Sequence, residues 1–201
     1  MAGSDGARTM RDRTGNSGVL VALLGVSAAL FFVASVVTEG FGELALDVDF
    51  KLFFLLYVLL AAVPYGLATL SVAIGGAMGE GAYDVIEGYE LDDPFGFVGY
   101  VLGFVTFGWI LHQVAPDPSD RRWQALAAVT GALIQATFEG VAFLILGDVN
   151  VGGAVLSVLG NTVTHGVVLG AVPLVVCYPV LNERIARYVG LRSARPDRPT
   201  L

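Results

Sequence analysis

Apolar positions along this chain fall into long unbroken runs, and charge is confined to short stretches between them. From Gly18 to Val37 there are twenty uncharged residues, and between Lys51 and Glu80 there are twenty-eight. About 20 apolar residues cross a bilayer once as a helix, so the first run predicts one helix and the second is too long for one crossing and too short for two. Pro64 divides the second run, because proline suits a first helical turn and disrupts an interior. The pattern therefore predicts a short helix from about Phe50 to Val63 and a long one from Pro64 to about Gly88. Later runs predict helices from Phe95 to about Gln113, from Trp123 to Leu146, and from Val151 to about Leu181, the last bent at Pro173. The stretch from Pro116 to Arg122 breaks the fourth helix from the fifth, with Ser119 or Asp120 as its cap.

Composition turns these helices into membrane spans. At 55% hydrophobic and 14% charged residues, the chain is unlike an ordinary soluble domain. The expected fold is an all-α integral membrane protein, a six-transmembrane-helix bundle over residues 17–181, multi-pass in the cell membrane. Tails over 1–16 and 182–201 complete it. Charge chooses six crossings over five, because Lys and Arg collect on the cytoplasmic side. With six, Arg8, Arg11, Arg13, Arg121, Arg122 and the tail arginines from Arg184 to Arg198 all fall inside with both termini, and only Lys51 falls outside. The first run exceeds the 7 to 15 residues of a signal-peptide core, so it is expected to stay as a helix. A net charge of -7 speaks against nucleic acid as a partner. The single Cys177 excludes an intrachain disulfide and is expected to be an apolar filler.

The orientation fixes depth. At about 1.5 Å per residue, Glu80, Glu139 and Asn161 lie roughly 10 to 15 Å below the outer surface, and Tyr100 comes out at a similar level. Carboxylates are costly in hydrocarbon and tend to face a cavity or a partner, so this convergence predicts a pocket open to the outside. Glu80 and Asp84 share a helix face, as do Gln135 and Glu139, and Ser157, Asn161, Thr164 and His165 form a polar stripe on the sixth helix. The site expected to bind substrate is Glu80, Asp84, Tyr100, Gln135, Glu139, Asn161 and His165. Glu139 has no basic residue at its expected depth, so a ligand, a proton or water must balance it. Hydroxyl and amide groups on such stripes also serve simply to join helices. Glu87, Glu90, Asp92 and Asp93 form an acidic rim at the mouth. His112 and His165 have no metal-ligand spacing, and no resident metal or cofactor is expected. Nucleophile-elbow and phosphate-loop motifs are absent.

Small residues recur at helical spacing. Ala128, Ala132, Ala136 and Gly140 on the fifth helix, and the pairs Gly99 with Gly103 and Gly166 with Gly170, suit close internal packing. Gly18, Ala22, Gly25 and Ala29 on the first helix suit docking of a partner protein.

From Asp47-Val-Asp-Phe, through Ala62-Val-Pro-Tyr-Gly-Leu, to Gly75-Gly-Ala-Met-Gly-Glu-Gly-Ala-Tyr-Asp, the chain resembles the substrate-binding S component of energy-coupling factor (ECF) type vitamin transporters. The likeness runs from about Gly18 to Leu181: a long first loop, a short second helix, and a Gly-rich third helix ending in acidic residues. It implies a scavenger of a vitamin or related small molecule that supplies recognition only. A transmembrane T subunit and two ATPase subunits would be its partners. The family docks through an Ala-x-x-x-Ala pattern on helix one, to which Gly25-x-x-x-Ala29 is the nearest equivalent here.

Three functions follow from these observations. The first is a non-enzymatic substrate-binding subunit for a compact heterocycle bearing an amino or cationic group, such as thiamine, its pyrimidine precursor or a deazapurine base. The second is a stand-alone proton-coupled secondary transporter using Glu80, Asp84 or Glu139. The third is an intramembrane hydrolase using His165 and Glu139.

Overall fold

The structure, a computed structural model, describes residues 17–39, 48–147 and 149–188, with side chains as far as Leu181 except that of Glu39. The expected tail over 1–16, most of the loop after the first helix and the arginine side chains beyond Leu181 lie outside the described residues. Among the described residues seven α-helices follow in order: α1 Ser17–Glu39, α2 Phe53–Ala62, α3 Leu67–Glu87, α4 Asp93–Trp109, α5 Arg121–Leu146, α6 Val151–Asn161 and α7 Val172–Tyr188. A π-wound turn, Ile110–Val114, extends α4, and a longer one, Thr162–Ala171, joins α6 to α7 into one rod.

Among the described residues four stretches are long and apolar enough to cross a membrane, at Ser17–Thr38, Asp93–Val114, Arg121–Leu146 and Val151–Leu181. They mark the chain as a membrane protein. Their large apolar side chains point outward, as with Val21, Val33, Ile145, Val155 and Val163, while small residues meet inside. That is the arrangement expected where lipid supplies the apolar exterior and close backbone contact holds helices together.

α2 is the centre of the packing. Phe53, Leu56, Tyr57 and Leu60 are all at most 1% exposed, and ten residues span only about 15 Å. Tyr57 stacks on Phe107 at 4.3 Å between ring centroids and donates its hydroxyl to the Ala128 carbonyl at 2.9 Å. Below α2, His112 in the π-wound turn lies 2.8 Å from the Leu60 carbonyl.

α3 starts at Leu67 rather than at Pro64. Gly66 takes φ +128°, a conformation that side-chain-bearing residues rarely adopt, so the chain turns at Tyr65-Gly66 before winding. α3 then packs on α1 through Gly75 and Gly79. A Cβ at Gly75 would collide with Ser27 and the Leu24 carbonyl, and one at Gly79 with the Ala28 carbonyl. α4 and α5 approach equally closely. A Cβ on Gly99 would come 2.9 Å from the Gln135 carbonyl, and one on Gly131 would come 2.8 Å from that of Gly103. Gly166 meets Ala132 in the same way, so the expected internal stripes do pack internally. Asp120, of the two expected caps, starts α5 by accepting the Arg122 N–H at 2.9 Å. The π winding ends at Ala171 and α7 begins at Val172, with Pro173 in its first turn, where the missing N–H costs no helical bond.

Candidate functional site

The acidic end of α3, the start of α4 and the far ends of α5 and α6 enclose a cavity of about 320 Å³. The chain just before α2 closes one side. Glu80 and Asp84 come from α3, Tyr100 from α4, Glu139 and Phe143 from α5, and Asn161 from α6; Asp49 and Lys51 come from the preceding strap. Glu87, Glu90, Asp92 and Asp93 ring the mouth, as the sequence leads one to expect.

Five of the seven expected site residues therefore line the cavity. Gln135 and His165 do not. Both are fully buried beneath it, Gln135 one turn below Glu139 and His165 under the strap. His165 Nε2 faces Asp49 Oδ1 at 2.5 Å, and its ring stacks on Phe53 with centroids 4.7 Å apart. Asn161 accepts the Asp49 N–H on its side-chain oxygen at 3.1 Å. One turn of the rod thus grips the strap through Asn161 and His165. The π winding begins between them, and an added residue per turn at this point changes the direction in which His165 projects.

Lys51 corrects the largest sequence expectation. The expectation is that Glu139 has no basic residue near it. Instead the strap folds inward. The Lys51 ammonium pairs with Glu80, lies 2.9 Å from Asp49 Oδ2 and sits 5.4 Å from the centre of the Tyr100 ring. Its charge also acts on Glu139. Burial alone would pull the Lys51 ammonium down, but Asp49 and Glu80 beside it hold its pKa well above the usual range. Burial would likewise raise the Asp49 carboxyl, and Lys51 with His165 outweigh it and hold it well below. Both are fixed as charged groups.

Ser35 is the second residue that sequence reasoning missed. Its hydroxyl is 2.5 Å from Glu80 Oε2 and 3.0 Å from its own helix's Phe31 carbonyl. It has one proton to give, and the carboxylate is the stronger acceptor. Glu80 thus has Lys51 on one oxygen and Ser35 on the other. Two neighbours have no such satisfaction. Among the described residues, Tyr100 Oη and His165 Nδ1 are buried without a hydrogen-bond partner, whereas the buried Gln135 amide has Glu139 beside it. Buried polar groups are normally paired, so this concentration beneath one cavity marks places for a ligand or water. The described residues hold no cluster of three or more His, Cys, Asp or Glu suited to a metal ion.

On α1, Gly18, Ala22, Gly25 and Ala29 all face away from the bundle. A Cβ at Gly25 would meet nothing within 4 Å.

Comparison of the chain with family models, with curated proteins and with solved structures found no match to any of them.

Proposed function

We propose that this protein is a membrane-embedded solute-binding subunit without catalysis of its own, taking a compact heterocycle that bears an amino or cationic group. One observation carries the reading: a 320 Å³ cavity whose wall holds eight carboxylates and a single ammonium, with the unpartnered Tyr100 hydroxyl on that wall. The volume lies at the small end of ligand pockets. Its charge selects for cations.

In this reading the bundle crosses the membrane six times with both termini in the cytoplasm, and the cavity opens outward. The chain is an S component of an ECF-type transporter, working with a T subunit and ATPase subunits. Two features support that assignment: the central, short α2 beneath the cavity, and the outward stripe of Gly18, Ala22, Gly25 and Ala29 as a docking face. A stand-alone proton-coupled transporter is the second reading. What favours it is the Lys51 and Glu80 pair with Asp84 and Glu139 around it, a charged set of the kind that carries protons inside membrane bundles.

Two measurements separate these readings. Titration calorimetry of the purified chain against thiamine, its aminopyrimidine precursor and a deazapurine base is expected to give saturable binding of at least one. Binding of none, with binding of neutral analogues instead, would refute the site. Uptake by the chain alone in proteoliposomes, driven by a pH gradient, would establish the second reading in place of the first.

A further inference from the structure

Lys51 is the chain's single lysine, and it is carried on a strap rather than on a helix. Its ammonium occupies the cavity wall between Glu80 and Asp49 and over the Tyr100 ring. Carboxylates and an aromatic face around a cation are the elements with which proteins hold ligand ammonium groups. Yet the lysine fills the place imperfectly. An ammonium only donates hydrogen bonds, and the buried Tyr100 Oη on the cavity wall stays unpartnered.

We infer that the Lys51 ammonium is a tethered stand-in for the cationic group of the ligand, and that the ligand enters by exchange with it. This deepens the cavity reading above and rests on it. The exchange defines the substrate class. A simple amine offers the wall nothing that Lys51 does not already offer, and it competes against a group held at high local concentration. A planar cation with its charge spread along an edge carrying both donors and acceptors, such as an aminopyrimidinium, pairs with Glu80 through two parallel bonds. Its remaining edge and ring nitrogens are left for the Tyr100 hydroxyl. The Lys51 side chain then leaves towards the acidic rim of the same cavity.

The test measures binding of benzamidinium, benzylammonium and neutral benzamide to the full chain in detergent, as wild type and as Lys51→Met. The variant is expected to bind benzamidinium roughly tenfold or more tightly than the wild type, because a tethered competitor is gone. Benzamide is expected to bind both alike. In the wild type, reductive methylation of Lys51 is expected to quicken when benzamidinium saturates the cavity, and this decides the matter even if Lys51→Met does not fold. Unchanged or weaker benzamidinium binding by a folded variant, or methylation that saturation leaves unchanged or slows, overturns the exchange and leaves the cavity reading standing. Absence of cation binding in both forms overturns the two together.

Discussion

Asp49 is held twice to the rod that α6 begins: its carboxylate lies 2.5 Å from His165 Nε2, and its backbone N–H donates to the Asn161 side chain at 3.1 Å. With Lys51 two residues on and paired to Glu80, the strap ties α3 to the rod across the cavity. The strap is thus both a wall of the site and a brace of the bundle.

Its contribution to stability depends on pH at both extremes. The Asp49 carboxyl is depressed, so its contribution is present above the unfolded pKa of about 3.9 and is lost as pH falls towards the folded value. The Lys51 ammonium is raised, so its contribution is complete below the unfolded pKa of about 10.4 and is lost as pH rises through the folded value. Melting temperature in detergent should therefore differ between wild type and Asp49→Asn by a constant amount at neutral pH, and the two should converge in acid. Parallel curves down to about pH 2 would show that the Asp49 charge does not brace the strap.

Glycine positions on two helices should respond oppositely to alanine. Gly75→Ala or Gly79→Ala places a methyl group against α1 backbone and should cost about 3 kcal/mol, the upper part of the usual range for overpacking. Gly25→Ala adds a methyl group to open space and should leave the bundle unchanged or slightly more stable, because alanine is the better helix former. Unfolding midpoints in a mixed-micelle titration would measure both. Equal effects at Gly25 and Gly79 would contradict the assignment of α1's inner and outer faces.

The difference between these glycines was only half legible in the sequence. The outward stripe from Gly18 to Ala29 reads directly from helical spacing, as do Gly99 with Gly103 against α5. Which face of α1 meets α3 depends on Ser27 and Ser35, two isolated hydroxyls that resemble incidental residues until Glu80 is placed beside one of them. The convergence of Glu80, Tyr100, Glu139 and Asn161 was legible because depth along a helix grows by a fixed rise per residue. Lys51 was not, since depth arithmetic stops where a helix stops and a strap can fold either way. Gln135 shares the face of Glu139 but lies one turn below the cavity, and for His165 direction around the helix matters as well. The π winding from Thr162 to Ala171, which has no simple sequence signal, sets that direction for His165.

Cation capture should be steered by the rim. With Glu87, Glu90, Asp92 and Asp93 at the mouth, the association rate of benzamidinium should fall as salt rises from about 0.01 to 1 M, where the screening length shrinks from about 30 to 3 Å. The dissociation rate should change far less, because the bound cation sits beneath the rim. Stopped-flow displacement would resolve the two rates. A rate of association indifferent to salt would show that the acidic rim plays no part in capture.

The central claim is that this cavity holds a small cation through its carboxylates. Native mass spectrometry of the wild-type chain and of Glu139→Gln, each gently extracted from the cells that make it, tests that claim most directly. The account predicts a small amino-bearing compound on the wild type that is absent from the equally well-folded variant. The same occupant on both forms, or none on either, would contradict it.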